Sequence, residues 1–491
     1  MTAPHHVPFC LGLLLLTATT ALAQLPAQTP PPDRASSSRG NLDLAACLNL
    51  ALNRNTDILK AQQEIKRLHG VIVEVRAEAL PQVTLNTSLA TEAEELANGA
   101  FAGFGPRRQQ SFWTAGLAIN QLLYNGGAVG AAIDIARLSE NNAFLQLDAT
   151  IDATVFLVRE AYYNVLLTRS LIAVREANVK LLEEELANQQ RRLNAGTVTR
   201  FNVLRAEVEL ANAQPPLIRA RNLQRIALLN LARLLAIDYP HDAAAPPFHI
   251  IGQLEYLPST FDLDQLLTLA HQRRPEIRLA DQQIAINRRQ LVIDRSGSLP
   301  RVSAFGGYDF ISDRNKNNFD AANQGWSVGV QGQWNLFDGF RTQGQLEQTR
   351  ANITSAQLDS EQTRRDIDAE VRQAYFDWVE ARELIQSQRK NVEQATEALR
   401  LANSRFDVGA ATQLDVLQAN VALTDARTNE LEARFDYNLA IARLERVTSA
   451  PVLNRESARI PTRTQAQPPA PTPPTPDAPP SPRPAAVLKR R

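Results

Sequence analysis

The stretch that most resembles a ligand-binding loop is residues 125–130, which read Asn-Gly-Gly-Ala-Val-Gly. It follows a predicted strand and precedes a predicted helix, and in that position backbone N–H groups can bind phosphate. The equivalent run in the second half of the chain, which starts with Asp338 and Gly339, keeps only the Asx-Gly pair. We therefore interpret both runs as strand-to-helix turns rather than as a nucleotide-binding site.

Side chains for catalysis, redox chemistry or metal binding are scarce. The 491 residues include 6 histidines, 2 cysteines and 1 methionine, and the histidines lack the spacing of a metal site. No serine or cysteine lies in a nucleophile motif, and residues 183–185 (Glu-Glu-Glu) and 191–192 (Arg-Arg) are typical of solvated helix faces. Acidic and basic residues are equal at 52 each, so no net charge attracts nucleic acid. The sequence predicts neither an enzyme nor a cofactor or metal protein.

The other candidate residues lie at the ends of long helices with a seven-residue apolar repeat. One apolar line comprises Val371, Trp378, Ile385, Val392, Leu399 and Phe406. Such a repeat is typical of a coiled-coil seam. Gly409 follows where a helix end needs a left-handed residue, and Thr412 with Asp415 has the spacing of a capping box that starts a new helix. We predict a helical hairpin with a tight turn.

The same hairpin occurs in the first half of the chain, so the chain is an internal duplication. The earlier apolar line comprises Val158, Val165, Ile172, Val179, Leu186 and Leu193. Gly196 and Thr199 correspond to Gly409 and Thr412. Nearer the N-terminus of each copy, Leu80-Pro81 matches Leu299-Pro300. The offset between the copies is larger there than at the hairpins, so the loop between the paired strands is shorter in the second copy.

Each copy begins with a predicted amphipathic helix, which runs from about Leu44 to Ala79 in the first copy and stops before Pro81. After each Leu-Pro pair the apolar period changes from about 3.6 to 2. Alternate residues are apolar in four runs, residues 83–89, 113–119, 302–310 and 326–336. Runs of roughly ten residues with this alternation and with aromatic ends are typical of transmembrane β-strands. A half-buried sheet of a soluble domain is the alternative.

Each copy therefore reads helix, strand, loop, strand, long helix, turn, helix. The long helices, at about residues 128–194 and 340–407, would each extend about 100 Å. Pro215-Pro216 should bend or break the return helix of the first copy. The second copy has Thr428-Asn429 at the matching positions, so its return helix need not bend there.

The N-terminus reads as a secretory signal, with an apolar core from Cys10 to Leu16 and a small-x-small cleavage site before Gln24. Cys10 lies in a poor lipobox, so a lipid anchor is the minor alternative, and Cys47 alone would remain after cleavage. We predict six segments: signal peptide 1–23, disordered linker 24–40, first repeat 41–238, linker 239–260, second repeat 261–449 and Pro-rich disordered tail 450–491.

Four transmembrane strands in one chain cannot close a barrel, and lipid does not tolerate an open sheet edge. Copies of the chain must then pool their strands. Eight strands from two copies would enclose a lumen filled by side chains, whereas twelve from three copies would leave a channel. The small and polar residues Ser303, Gly307, Gly329 and Gln331 suit a wet lumen.

The chain resembles the TolC-like outer-membrane efflux proteins over about residues 41–449. The resemblance depends on the duplication, the paired Leu-Pro joints, the strand exits Leu-Tyr-Asn-Gly and Leu-Phe-Asp-Gly, and the hairpin sequence from Val408 to Ala419. It implies a mixed α+β homotrimer, with a 12-stranded outer-membrane β-barrel continued by a periplasmic α-helical coiled-coil barrel. The implied partners are outer-membrane lipid, a periplasmic adaptor and an inner-membrane pump of RND or ABC type. The implied function is passive export of drugs, metals or a polypeptide, with no nucleic acid involved.

The resemblance also implies two functional regions. Asp415 and Gln418, with Asn202 and Arg205 at the matching positions of the first copy, would form the pore constriction. Gly196, Thr199, Gly409 and Thr412 would form the turns that dock the adaptor. Phe406 and Ala411 depart from the Tyr and Arg of the family prototype, and Gln418 replaces the second of two pore acids. We expect three Asp415 carboxylates in a ring, which the neighbouring Arg205 partly neutralises.

Two competing functions have a different basis. A periplasmic coiled-coil protein could space the envelope without conducting, but it would need no alternating strands with terminal tryptophans. An enzyme would need a catalytic constellation, which the sequence lacks.

Overall fold

The computed structural model describes residues 40–91, 111–238, 246, 248–312 and 322–450. Nearly all of the predicted signal peptide, N-terminal linker and Pro-rich tail lies outside these residues, as do both strand-connecting loops. The described elements follow one order twice, helix, helix, strand, strand, long helix, return helix. Duplication is therefore present in the fold as well as in the sequence.

In the first copy, the strands are β1 (Asn41–Leu42), β2 (Gln82–Thr91) and β3 (Ser111–Tyr124), and the helices are α1 (Leu44–Arg54), α2 (Thr56–Ala77), α3 (Ala128–Asn194) and α4 (Arg200–Leu234). In the second copy, the strands are β4 (His249–Ile250), β5 (Arg301–Ser312) and β6 (Ala322–Gln333), and the helices are α5 (Leu263–Arg273), α6 (Pro275–Ser296), α7 (Arg341–Asp407) and α8 (Gln413–Thr448). The predicted long helices and alternating strands are confirmed.

The single N-terminal helix predicted for each copy is wrong, because each is two helices. Asn55 has ψ 128° and Arg274 has ψ 122°, so both are extended between two helices. The Asn55 carboxamide oxygen accepts the N–H of Asp57 at 2.9 Å and caps α2. In the second copy the ring of Pro275 disfavours a helical conformation at Arg274.

The return helix α4 does not break at Pro215 and Pro216, which both lie inside it. Two backbone N–H groups are missing there, which leaves the carbonyls of Ala211 and Asn212 without an i+4 donor. Packing of α4 against α3 holds the helix together across this point. The prediction was that the two prolines bend or break this helix, and the break does not occur.

In the segment predicted as linker 239–260, the described residues 248–260 contain a strand and are held between the two repeats. β4 pairs in parallel with β1. Tyr162 on α3 donates a hydrogen bond to the Ile251 carbonyl at 2.5 Å, and Tyr437 on α8 donates one to the Leu257 carbonyl at 2.9 Å. Gly252 has φ +120°, and a Cβ there would lie 2.7 Å from the Tyr162 hydroxyl. The segment therefore ties α3 to α8.

Two buried clusters form the core at the level of this segment. One includes Cys47, Val158, Leu166, Leu231 and Phe248, and the other includes Ala270, Val371, Trp378, Tyr437 and Leu444. Burial raises the pKa of the Cys47 thiol to about 12. No helix in the described part of the chain carries an apolar stretch long enough to cross a bilayer.

Candidate functional site

The four long strands form one antiparallel sheet in the order β2-β3-β5-β6. Its register places Leu85, Leu117, Tyr308 and Trp326 in one row across the sheet. The adjacent row, one residue along, contains Thr84, Ala118, Gly307 and Ser327. Because successive side chains point to opposite faces, one face is apolar and the other carries small and polar residues, as the alternation predicted.

The two faces differ in their exposure to solvent and in their chemistry. On the apolar face, Leu85, Trp326 and Val328 are each more than 70% exposed in the single chain. On the other face, Ser303, Gln331 and Gln333 line a polar concavity at the end of the sheet nearest the helices. A large exposed apolar surface opposite a polar one is what a sheet between lipid and water requires.

Both edge strands, β2 and β6, have one hydrogen-bonding side without a partner strand in the described chain. Each edge leaves about every second backbone N–H and C=O along the strand unpaired. β2 spans 10 residues and β6 spans 12. Two edges of similar length, at opposite sides of one sheet, can pair with each other only between copies of the chain.

The long helices α3 and α7 each end at a hairpin turn, far from the sheet. Gly196 has φ +72° and Gly409 has φ +77°, so both adopt the predicted left-handed conformation. The predicted capping box at Thr412 and Asp415 is present, and Asp415 accepts the Thr412 N–H at 2.8 Å. Thr199, in contrast, makes no side-chain capping bond.

Hydrogen bonds from Thr412 hold the pKa of the Asp415 carboxyl below its usual value. The carboxylate therefore stays ionised at neutral pH, and it is fully exposed in the single chain. Gln418 is also exposed. The Arg205 guanidinium lies 5.0 Å above the Phe201 ring, and the ion pairs among the described residues do not include one between Arg205 and Asp415 of the same chain.

The structure brings the two hairpin turns together through contacts that the sequence did not predict, one of them with the predicted constriction residue Asn202. Gln413 is 5% exposed, and its amide nitrogen lies 3.4 Å from both the Asn202 carbonyl and the Glu185 carboxylate. Arg192 lies 4.8 Å from the centre of the Phe406 ring and 4.0 Å from the Asp407 carboxylate.

Glu183, Glu184 and Arg191 are exposed, as expected for a solvated helix face. Glu185 and Arg192 are half-buried, which that expectation did not predict. Each lies where α3 meets an element of the second copy, so each has a partner that one helix alone does not reveal. The only sequence signal was their position within a few turns of Gly196.

The glycine-rich residues 125–130 form a strand-to-helix turn, as we interpreted them. Asn125 accepts the Val129 N–H at 3.4 Å, and Asp338 accepts the Thr342 N–H at 2.9 Å in the second copy. A Cβ on Gly126 would lie 2.9 Å from Leu299. Close packing against the second copy therefore explains this glycine. Among the described residues, no group of His, Cys, Asp or Glu side chains could hold a metal ion.

Comparison with known proteins gives one consistent result. The family model described as "Outer membrane efflux protein" matches residues 47–236 and 266–450. The outer membrane protein TolC of Vibrio cholerae is 23% identical over 414 residues, which cover 82% of this chain and 89% of TolC. The alkaline protease secretion protein AprF of Pseudomonas aeruginosa is 25% identical over 287 residues, covering 58% and 59%.

The fold also resembles solved structures. The CmeC outer membrane channel of Campylobacter jejuni matches with a TM-score of 0.73 at 15% identity, over 83% of this chain and 86% of that one. At that identity the match shows similarity of fold alone.

Proposed function

This chain belongs to the outer membrane efflux protein family, and from that premise we propose that three copies form one passive exit duct. The chain is an outer-membrane protein with a periplasmic extension, and it conducts cargo rather than transforming it. A non-conducting periplasmic spacer would not need a sheet with a largely exposed apolar face.

The observation that carries the proposal is the pair of open sheet edges on β2 and β6. In lipid, an unpaired edge would leave backbone groups without hydrogen bonds, at a cost of several kcal/mol each. Pairing β6 of one chain with β2 of the next chain gives these backbone groups hydrogen-bond partners. Three copies of a four-stranded sheet then give a barrel of 12 strands, which is wide enough for a lumen.

The faces of the sheet set the orientation of this barrel. The face with Leu85, Tyr308 and Trp326 would contact lipid, and the face with Ser303 and Gln331 would line the lumen. Each chain has two hairpins, which makes six in the trimer, and together they would continue the lumen as a periplasmic helical tunnel. With 67 residues each, α3 and α7 extend about 100 Å.

The hairpin turns form the far end of the tunnel in this proposal. Gly196, Thr199, Gly409 and Thr412 would dock the periplasmic adaptor, which connects the duct to an inner-membrane pump of RND or ABC type. Asp415 and Gln418, with Asn202 and Arg205 of the first copy, would form the narrowest point. AprF is named for protease secretion and CmeC as an outer membrane channel, so we include polypeptides as well as drugs and metals among the candidate cargoes.

The test is to isolate the full chain from outer membranes and to measure its assembly and conductance. We expect a trimer that dissociates on a denaturing gel only after heating, and ion conductance when the trimer is inserted into a planar bilayer. A monomer in the soluble periplasmic fraction would refute the proposal, as would a trimer that does not conduct.

A further inference from the structure

The strand-to-helix turn of the first copy fits closely against the second copy. A Cβ on Gly126 would lie 2.9 Å from the Leu299 side chain and 2.9 Å from Ser296, and a Cβ on Gly127 would lie 3.7 Å from Val292. A Cβ would clash at Gly126, and both glycines have the positive φ that disfavours other residues. The contact joins the end of β3 to the end of α6.

The equivalent turn in the second copy has no such neighbour within the chain. Nothing lies within 4 Å of a Cβ built on Gly339, which corresponds to Gly126. In the alignment that matches Leu80-Pro81 to Leu299-Pro300, Val292 and Leu299 correspond to Val73 and Leu80. Val73 is 58% exposed and Leu80 is 61% exposed. The turn with Gly339 and the helix surface with Val73 and Leu80 are therefore both present, but they do not form the equivalent contact within one chain.

Phe340 stands where the first copy has Gly127. It has φ +64°, a left-handed conformation that is sterically unfavourable for a bulky residue. It is 69% exposed and stacks edge-to-face on Phe337 with ring centres 5.5 Å apart. The chain thus retains a strained and exposed phenylalanine at a position where glycine would fit without strain, which points to a contact outside the chain.

The helix surface with Val73 and Leu80, which corresponds to the one with Val292 and Leu299, has room for the Phe340 ring. Arg289 lies one helical turn before Val292 and makes an ion pair with Asp134 on α3 at 3.4 Å. Its counterpart in the first copy is Gly70, and nothing lies within 4 Å of a Cβ built there. Within the chain, the helix therefore has the large residue Arg289 one turn from the contact, and the turn has Gly127. The sizes are reversed in the other pair, where the helix has Gly70 and the turn has Phe340.

We propose that Phe340 packs against Val73 and Leu80 of the neighbouring chain in the trimer and seals the joint between barrel and tunnel. The strand register supports the same placement, because Tyr124 pairs with Val302 within the chain. Phe337 corresponds to Tyr124, and Val83 corresponds to Val302. The same pairing between two chains would place Phe337 of one chain opposite Val83 of the next. This inference depends on the proposed trimer, but a trimer could form without this contact.

The test introduces Val73→Cys and Phe340→Cys together into the full chain and treats outer membranes with a short bismaleimide. We expect covalent dimers and trimers on a reducing gel of heated samples. The matched control, His69→Cys with Glu140→Cys, should cross-link within one chain and stay a monomer on that gel, because the native side chains lie 3.0 Å apart on α2 and α3. Val73→Cys with Phe201→Cys should not cross-link, because Phe201 lies at the far end of α3 and α4. The native Cys47 is buried, so the wild-type chain should not react.

Trimer formation is measured separately, on unheated samples of each variant. A trimer without cross-links between Val73→Cys and Phe340→Cys would overturn this inference and leave the exit duct intact. That result would also be expected if Phe340 contacted lipid instead of a neighbouring chain. Absence of the wild-type trimer would overturn both proposals.

A second variant does not depend on cross-linking. Phe340→Gly restores the residue of the first copy and removes the strain, so a purely local role predicts unchanged or greater trimer stability. We expect the opposite, a clear fall in the temperature at which the trimer dissociates in detergent. Phe340→Leu, which keeps an apolar side chain, should lie between the two.

Discussion

The Asn55 side-chain amide donates a hydrogen bond to the Leu234 carbonyl at 3.1 Å, and thereby joins the first helix break to the end of the return helix. The duplicated position is Arg274, whose guanidinium lies 3.4 Å from the Val447 carbonyl and also binds Glu276 and Glu370, each at 2.9 Å. The two copies therefore solve one problem with different side chains. At both sites the last carbonyls of a long helix receive a donor from the break between two short ones.

We expect Asn55→Ala to lower the free energy of unfolding by about 1–2 kcal/mol, because it removes both this bond and the cap of α2. Asn53→Ala is the matched control, since Asn53 is exposed and bonds only within its own helix. Thermal unfolding in detergent measures both. Equal effects of the two changes would mean that the Asn55–Leu234 bond is not needed for stability.

Arg274→Ala should cost about 1.5–3 kcal/mol, because the largely buried guanidinium loses its hydrogen bonds to Glu370 and to the end of α8. Glu370 is 54% exposed, so water solvates its carboxylate once the guanidinium is gone. The control is Arg278→Ala on α6, the helix that follows Arg274, because Arg278 bonds to the Gln272 carbonyl at an exposed site. The same unfolding experiment compares the two variants. A loss for Arg274→Ala no larger than that for Arg278→Ala would contradict the assigned role.

Asp436 on α8 provides a prediction on pH. Burial and the nearby Glu380 raise the pKa of this carboxyl, and Arg443 opposes the shift. An acid whose pKa is raised in the folded state binds protons more tightly when folded, so its protonation stabilises the fold as pH falls through the folded pKa. We expect Asp436→Asn to raise the unfolding temperature at pH 7 and to lose the advantage near pH 4.

The control for that experiment is Asp425→Asn, at an exposed position of the same helix. It should change the unfolding temperature little at either pH. If Asp436→Asn changed the unfolding temperature as little as this control, the ionised carboxylate would not be destabilising in the fold. If it lowered stability at pH 7, the carboxylate would be stabilising, and either result would contradict the assigned cause of the shift.

The sheet faces can be tested by charge. Val328 lies opposite Gly306 and Val330 opposite Ala304 on the apolar face, whereas Gln331 lies opposite Ser303 on the polar face. Val328→Arg or Val330→Arg should cost about 2–4 kcal/mol near the bilayer midplane, and Gln331→Arg should be tolerated. The yield of heat-resistant trimer in outer membranes measures this difference. Equal yields from the three variants would mean that the faces are assigned wrongly.

The adaptor-docking prediction needs a change that spares the turn itself. Ala410 is exposed and follows Gly409, so Ala410→Glu keeps the left-handed glycine and the capping box. We expect lower transport and less cross-linking to the adaptor at unchanged trimer yield. Gln394→Glu, which adds the same charge at an exposed position of α7, should have no effect. Unchanged transport by Ala410→Glu would remove the docking proposal.

The sequence predicted the regular parts of the fold because they follow from local patterns. Heptads defined α3 and α7, and the Leu-Pro joints defined the start of β2 and β5. It did not predict the breaks at Asn55 and Arg274 or the pairing of β1 with β4. Those features depend on contacts between distant segments, such as Asn55 with Leu234. Likewise, the capping of Thr412 by Asp415 could be read locally, whereas the contacts of Gln413 and Arg192 join two hairpins that are far apart in sequence.

The proposed carboxylate ring is separable from the capping role of Asp415. In one chain, the carboxylate accepts hydrogen bonds from the N–H and hydroxyl of Thr412, which fully explains an acid at this position. A trimer would add two further carboxylates near the axis, and such a ring selects cations and binds multivalent ones. We expect the wild-type channel to be cation-selective and blocked by a trivalent cation from the periplasmic side.

Asp415→Asn separates the two roles, because the carboxamide oxygen can still accept the Thr412 N–H. We expect this variant to assemble normally and to lose the trivalent block in single-channel recordings. Glu393→Gln removes an exposed acid of α7 away from the turn and should keep the block. Because the Thr412 bonds lower the pKa of Asp415, the wild-type block should persist as pH falls to the usual carboxyl range and disappear below it. A block that survives Asp415→Asn would mean that the acid only caps α8 and that the constriction lies elsewhere.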